Sequence, residues 1–306
     1  MGLRGEVVVR ALKLVALFAA AILLVLPGSA LAKKKHKKPA KLGPVITATA
    51  TGSSITSGEI TVTATCPSGK QAVGGGFSVP LDTTNALFVT SSYRSAPNAW
   101  TIVARHSNGS GAATAFAYCR NANKSITDVT TTGTVPSGPG TVGDATVGCP
   151  AGTQLVSGGV QMHNGSSSDY ALPIINLAIN TSPLWLVQAV NNEGGAHTFT
   201  VHAYCMAGIA APRFVDANSS PVLAKFATGT LSSPSCPAPK KPKKGKKKRK
   251  KKPAQLLSAG GFGSQVTAPI AVFSDSRINS NVWLNSGPNV TGPTGTVHFS
   301  SQGICV

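Results

Sequence analysis

Six cysteines that recur in three pairs constrain the fold of this chain more than any other feature. The first cysteine of each pair opens a Cys-Pro turn, and a glutamine-led apolar segment with adjacent glycines follows it. One tryptophan comes next, and the second cysteine closes the last segment of the unit. The aligned positions are Cys66, Trp100 and Cys119, then Cys149, Trp185 and Cys205, then Cys236, Trp283 and Cys305. The chain is therefore a threefold internal repeat.

Each repeat has the composition of a β module. Thr, Val, Ile and Ala alternate in short segments that are separated by Gly, Pro and Asn turns. The repeats span residues 44–120, 127–208 and 213–306. In the first repeat, the pattern predicts strands near residues 46–51, 59–65, 71–79, 86–94, 100–106 and 112–118. We expect an all-β fold of three repeats of about 80 residues, which either pack around a pseudo-threefold axis, as in a β-prism, or follow one another as small sandwiches.

The cysteines are expected to form disulfides. Six cysteines allow 15 pairings, but each repeat has one cysteine at its Cys-Pro turn and one on its last strand. The repeat therefore selects Cys66–Cys119, Cys149–Cys205 and Cys236–Cys305. Zinc is the competing use of cysteine, and the chain has neither a CxxC pair nor a Cys–His cluster with ligand spacing. We predict no metal and no cofactor.

The spacing CPxG…GG…W…YC resembles repeats of exported bacterial proteins of unassigned function. The resemblance covers nearly all of the chain after the N-terminal segment. It implies a fold and no activity, because its motifs are structural. The third repeat departs most from the pattern, with Pro239 in place of the turn glycine and Ile304 in place of the tyrosine.

The N-terminal segment, residues 1–32, has the features of a secretory signal peptide. A basic start and an apolar stretch of thirteen residues, 14–26, precede a small-residue cleavage site at 30–32. A membrane-spanning helix needs roughly 20 apolar residues, so we predict cleavage near Ala32 and a secreted, extracellular or cell-surface protein. A retained signal is the alternative, since basic residues follow the cleavage site directly.

The net charge is concentrated in two short segments. Residues 33–41 hold six lysines and residues 240–252 hold eleven basic residues, whereas the repeats outside these segments hold eight basic and eight acidic residues. The second segment falls in the Cys-Pro turn of the third repeat, where Cys236 lies nineteen residues before the aligned Gln255. The corresponding distance is five residues in the first two repeats. We predict a disordered basic tail at 33–43 and a disordered insertion at 239–253.

Seventeen cations on a neutral body predict attachment to extracellular anionic polymers or to an anionic membrane surface. Lysine dominates and no aromatic residue interrupts the runs, so contacts with phosphate or sulfate are expected, and nucleic acid would bind only non-specifically. An inert, solvated loop is the alternative. The predicted polyanion-binding residues are Lys33, Lys34, Lys35, Lys37, Lys38, Lys41, Lys240, Lys241, Lys243, Lys244, Lys246, Lys247, Lys248, Arg249, Lys250, Lys251 and Lys252.

No catalytic motif is present. The sequence has no GxSxG elbow, no paired carboxylates and no nucleotide-binding glycine motif. The six histidines share no repeat position, and we expect them at the surface or in turns. The sequence thus predicts a non-enzymatic protein, with a secreted hydrolase as a distant alternative.

A lectin-like carbohydrate-binding protein is the closer alternative. Residues 91–100 and 274–283 match closely, and a tryptophan face beside Arg and Asn donors is suited to stacking on a sugar. The candidate ligand face consists of Arg94, Asn98, Trp100, Arg277, Asn281 and Trp283. The second repeat keeps only Trp185, which favours a core role for all three tryptophans.

Overall fold

The structure is a computed structural model. It describes residues 43–54, 58–80, 87–106, 111–164, 170–179, 182–192, 194–220, 222–223, 228–237, 256–264, 274–277, 282–288, 295–296 and 299–305, all in one compact unit. The predicted signal peptide and both lysine-rich segments lie outside these residues. Within them, no helix is long and apolar enough to cross a membrane.

The described chain forms strands throughout. The first repeat has β1 (Ile46–Ser54), β2 (Glu59–Thr65), β3 (Lys70–Ser78), β4 (Leu87–Ala96), β5 (Ala99–His106) and β6 (Gly111–Asn121). The second has β7 (Ile126–Val135), β8 (Val142–Gly148), β9 (Thr153–His163), β10 (Ala171–Ile179), β11 (Leu184–Asn191) and β12 (His197–Ala207). The third has β13 (Arg213–Ser219), β14 (Val222–Leu223), β15 (Thr228–Ser232), β16 (Leu256–Ser264), β17 (Ser274–Arg277), β18 (Trp283–Pro288), β19 (Gly295–Thr296) and β20 (Phe299–Cys305).

Alternation of apolar and polar residues explains why these segments are strands. In β2, Ile60, Val62 and Ala64 are buried, whereas the threonines between them are exposed. Successive side chains of a strand point to opposite faces, so this pattern buries one face and solvates the other. The six strands predicted for the first repeat are confirmed, each end within three residues of its predicted place.

Three six-stranded sheets contain most of the strands, and each sheet is shared by two repeats. Sheet I has the order β1-β6-β3-β17-β18-β15, sheet II has β2-β5-β4-β9-β12-β7, and sheet III has β13-β20-β16-β10-β11-β8. A short pair, β14 and β19, is separate from them. If β14 and β19 are left out of the strand count of the third repeat, as they are from here on, every sheet joins the first, sixth and third strands of one repeat to the fourth, fifth and second strands of another.

This sharing closes the three repeats into a cycle. The first repeat pairs with the third in sheet I, the second with the first in sheet II, and the third with the second in sheet III. The all-β fold with three disulfide-closed repeats is confirmed. Of the two expected packings, the sheet order selects the pseudo-threefold one, because repeats arranged in a row would leave the first and third unpaired.

The predicted disulfide pairing is confirmed. Cys66 bonds to Cys119, Cys149 to Cys205, and Cys236 to Cys305. Each bond ties the chain after the second strand of a repeat to its sixth strand, and therefore joins two different sheets. Closing a loop of this length stabilises a protein by about 4 kcal/mol in the chain-entropy treatment.

The Cys-Pro turns are tight where they lack the insertion. The backbone N–H of Lys70 donates to the Pro67 carbonyl, and that of Thr153 donates to the Pro150 carbonyl. Gly69 and Gly152 have φ values of 73° and 84°, which disfavour any residue with a side chain. In the third repeat, the insertion predicted at 239–253 falls at the aligned position of the sequence and lies outside the described residues.

Each tryptophan is the central core residue of its own repeat. Trp100, Trp185 and Trp283 are 2%, 1% and 0% exposed. The aligned glycine pairs are Gly75–Gly76, Gly158–Gly159 and Gly260–Gly261. The first glycine of each pair lies against the indole ring, and a Cβ on it would come within 2.1, 2.1 or 1.9 Å of the ring, respectively. The glycine is therefore required so that the ring fits between the two layers of the repeat.

The indole N–H of each tryptophan donates to a side chain on the fourth strand of the same repeat. We call these three residues the junction acceptors. They are Ser92, which accepts from Trp100 at 3.0 Å, Asn176, which accepts from Trp185 at 2.7 Å, and Asp275, which accepts from Trp283. A buried indole N–H thereby keeps a partner in every repeat.

The second glycine of each pair makes the contact between repeats. A Cβ at Gly76 would lie 2.0 Å from the backbone carbonyl oxygen of Asp275. The corresponding distances are 2.5 Å from Gly159 to the carbonyl of Ser92 and 2.3 Å from Gly261 to that of Asn176. The third strand of each repeat thus approaches the junction acceptor of the neighbouring repeat more closely than any side chain would allow.

At each junction, the backbone N–H two residues after the junction acceptor donates a hydrogen bond to a side chain of the neighbouring repeat. The Arg94 N–H donates to the Tyr204 hydroxyl and the Arg277 N–H donates to the Tyr118 hydroxyl, both at 2.7 Å. The third repeat has Ile304 in place of tyrosine, and there the Gln302 carboxamide accepts from the Ala178 N–H at 2.7 Å. Gln302 replaces the missing hydroxyl, so the departure from the repeat pattern leaves the contact intact.

Candidate functional site

The tryptophans do not form a ligand face. Trp100 and Trp283 are enclosed by glycine backbone on one side, and the ring of a tyrosine from the neighbouring repeat lies 5.7 and 5.5 Å from them, respectively. Stacking on a sugar requires an exposed ring. The ligand-face hypothesis is therefore wrong for these two residues, and the core interpretation of the three tryptophans is confirmed.

The polar members of the candidate face do not converge on a site either. The Arg94 guanidinium donates to the Pro97 carbonyl of its own turn at 2.7 Å, and Asn98 is exposed in that turn. Arg277 is only partly exposed and lies in another junction. Asn281 lies outside the described residues.

One histidine differs from its predicted surface position and approaches the arrangement of a catalytic pair. His202 is 7% exposed, and its ring lies between Tyr93 and Tyr204 at centroid distances of 5.7 and 5.8 Å. Its Nδ1 is 3.1 Å from both carboxylate oxygens of Asp128. Its Nε2 is buried without a hydrogen-bond partner, so the described residues supply this His–Asp pair with no nucleophile.

His197 is also buried, at 3% exposure, contrary to the expectation of a surface histidine. His202 lies in a run of six consecutive buried residues of β12, 201–206, which is covered on both faces. His197 lies two residues before Phe199 and shares its buried face.

A shallow depression of about 360 Å³ lies where the second repeat leads into the third. Its lining comes from the turn after Cys149 and from the join between the repeats, and all of the lining side chains are uncharged. It offers no group that would activate a substrate or hold a charged ligand.

Positive charge is instead concentrated at one end of sheet I. We call it the Arg120 end, because Arg120 lies there near the end of β6. All neighbouring strands of this sheet are antiparallel. β1 begins at this end with Ile46 opposite Cys119, and β17 ends there with Arg277 opposite Trp283. β15 also ends there, at Ser232, four residues before Cys236.

Both lysine-rich segments are attached at the Arg120 end. The basic tail precedes Gly43, three residues before β1 begins. The insertion follows Cys236, which is bonded to Cys305, and the chain resumes at Leu256 opposite the same Cys305. The topology thus brings the attachment points of the two segments, which are about 200 residues apart in the sequence, to the same end of one sheet.

The described charges at this end are mainly basic. Lys70 donates to the Asn121 carboxamide oxygen at 2.7 Å, and Arg120 and Arg277 lie at the ends of β6 and β17. The acidic residue of this region, Asp275, is 3% exposed, and its burial raises its pKa to about 7 in spite of the hydrogen bond from Trp283. It therefore contributes little compensating charge below neutral pH.

Comparison with protein-family models and with curated proteins finds no match to this chain.

Proposed function

We propose that the protein is an exported, non-enzymatic envelope or matrix protein that attaches to extracellular polyanions through residues 33–41 and 240–252. The observation that carries this proposal is the common attachment of both basic segments at the Arg120 end of sheet I. The three disulfides support export, because such bonds persist in oxidising compartments.

The separation of the net charge from the neutral repeats supports the same function. The repeats outside the segments are formally neutral, and their three tryptophans are buried in the core. A rigid, neutral body with seventeen cations attached at one end presents that end to a polymer of phosphate or sulfate groups. Two segments that engage one polymer bind more tightly than either alone, because the second contact is intramolecular.

The test compares the purified protein with two variants in co-sedimentation with isolated cell envelope and in binding to DNA. One variant lacks residues 240–252, which leaves the turn one residue longer than in the first two repeats. The other keeps the length but carries glutamine at the eleven basic positions of that segment. We expect both variants to bind at least tenfold more weakly than wild type at low salt, and wild-type binding to fade by a few hundred millimolar salt.

The glutamine variant is the matched control for loop length. If it binds as wild type does, the charge of the segment is not the attachment, and the proposal fails. Equal binding by all three proteins without salt dependence would place the attachment site on the β body.

A further inference from the structure

Arg120 is a buried cation without a partner. Its residue is 4% exposed, and its Nε is buried with no hydrogen-bond partner. Within the part of the chain that the structure describes, no carboxylate forms an ion pair with it. Burying a charged group without compensation is costly, so such a group requires explanation.

A second arginine from another repeat lies beside it. Tyr118 and Arg120 are two residues apart on β6, and their side chains therefore point to the same face. The Tyr118 hydroxyl accepts the backbone N–H of Arg277 at 2.7 Å, which places Arg120 next to Arg277 at the junction of the first and third repeats. Burial, and to a smaller extent the charge of Arg277, lower the pKa of Arg120 to about 10.

Among the described residues, the equivalent positions of the other two junctions do not hold two arginines. At the junction of the first and second repeats, Met206 takes the position of Arg120 and packs in the core with Cys66. Arg94 takes the position of Arg277 there. Burial lowers its pKa, Tyr204 and Asp128 partly offset this, and its guanidinium donates to the Pro97 carbonyl, although its Nε, like that of Arg120, has no partner among the described residues. At the junction of the second and third repeats, Ala178 takes the position of Arg277.

We propose that Arg120 and Arg277 form a binding site for a phosphate or sulfate group at the Arg120 end of sheet I. A guanidinium presents two parallel N–H donors that match an oxoanion, and two guanidinium groups supply the charge that one such anion neutralises. The repeat fold does not require a cation at either position, because the chain itself places methionine and alanine at the equivalent positions of other junctions.

This site is independent of the lysine-rich segments and adds to the proposed function. Lysine runs attract any polyanion without geometric selection, whereas a fixed pair of arginines selects one oxoanion group. A polymer held by the lysines would place one of its phosphate or sulfate groups at this site.

The test measures binding of inorganic phosphate and of sulfate to the purified protein by calorimetry, with thermal unfolding at constant ionic strength beside it. Sodium chloride and sodium acetate serve as comparison salts. Arg120→Met copies Met206, and Arg277→Ala copies Ala178, so both variants have a precedent in the fold. Arg94→Ala is the matched control at another junction, and the variant lacking residues 240–252 separates this site from the lysines.

We expect one phosphate or sulfate per chain and a rise in melting temperature that chloride does not reproduce. Arg120→Met and Arg277→Ala should each weaken this binding at least tenfold, and Arg94→Ala and the loop deletion should leave it unchanged. Without added oxoanion, Arg120→Met should melt above wild type, because it removes an uncompensated buried charge.

Absence of saturable binding in wild type would overturn the proposal. Binding that is lost with residues 240–252 but kept in Arg120→Met would assign the anion to the lysines instead. If Arg120→Met does not fold, the result for Arg277→Ala decides. If acetate bound more tightly than phosphate, the site would be selective for a carboxylate. This result would contradict the proposal that its ligand is a phosphate or sulfate group.

Discussion

Replacing Asp275 with asparagine is expected to stabilise the protein by about 4 kcal/mol at pH 8. The pKa of Asp275 is raised from 3.8 to about 7 by complete burial, and each unit of such a shift corresponds to about 1.4 kcal/mol. Asparagine keeps an acceptor for the Trp283 indole, as Asn176 does for Trp185. Equilibrium denaturation of wild type and variant between pH 4 and pH 8 measures the difference.

The sign of this dependence follows from the direction of the pKa shift. The pKa of Asp275 is higher in the folded protein than in the unfolded chain. As pH rises above about 4, the Asp275 carboxyl group therefore loses its proton in the unfolded chain first. Wild type therefore loses stability from about pH 4 to pH 7 through this residue, and the two proteins should converge at pH 4. The reciprocal variant, Asn176→Asp, should acquire the same pH dependence in the second repeat. A constant difference across this range would mean that Asp275 does not titrate in the fold.

Replacing Gly76 with alanine is expected to destabilise the protein by about 3 kcal/mol or more. The new Cβ would lie 2.0 Å from the backbone carbonyl oxygen of Asp275. A backbone carbonyl cannot rotate away as a flexible side chain does, so β3 and β17 must separate. The change in the midpoint of urea denaturation measures the loss.

Gly194→Ala is the matched control, because a Cβ at Gly194 would have no atom within 4 Å. We expect this control to fall within about 0.5 kcal/mol of wild type. If Gly76→Ala were as stable as the control, the close contact between the first and third repeats would not be a feature of the fold.

The repeat pattern was sufficient to predict the local structure. Cysteine spacing and apolar alternation identified the strands of the first repeat and the disulfide pairing, because both depend on residues within one repeat. The same alignment carries a further signal. Ser92, Asn176 and Asp275 each precede a tryptophan by eight or nine residues, and all three carry a hydrogen-bond acceptor.

The arrangement of the repeats could not be predicted in the same way. The pairing between repeats is confined to short stretches such as Phe77 opposite Asp275 and Val160 opposite Ser92. These contacts leave no periodic pattern in the sequence. Gln302 illustrates the same limit, since its role at the junction becomes visible only when Ala178 is placed beside it.

The candidate site was predicted in part. Charge counting identified the two lysine-rich segments, but their attachment at one end depends on strand direction in a sheet shared by two repeats. Arg277 is a candidate because it aligns with Arg94, whereas nothing in the repeat pattern points to Arg120. It follows the second cysteine of its repeat, where the second repeat has Met206, and only burial at a junction makes its charge unusual.

The salt dependence of binding to a uniform polyanion such as DNA tests the central claim most directly. The logarithm of the binding constant falls with the logarithm of salt concentration by about 0.9 per phosphate contacted. Six of the seventeen segment cations remain when residues 240–252 are deleted, so the slope should fall to about a third of the wild-type value. It should fall to the value of a single phosphate contact, about 0.9, or below when residues 33–41 are removed as well. A slope that stays at the wild-type value in both deletions would contradict attachment through the two basic segments.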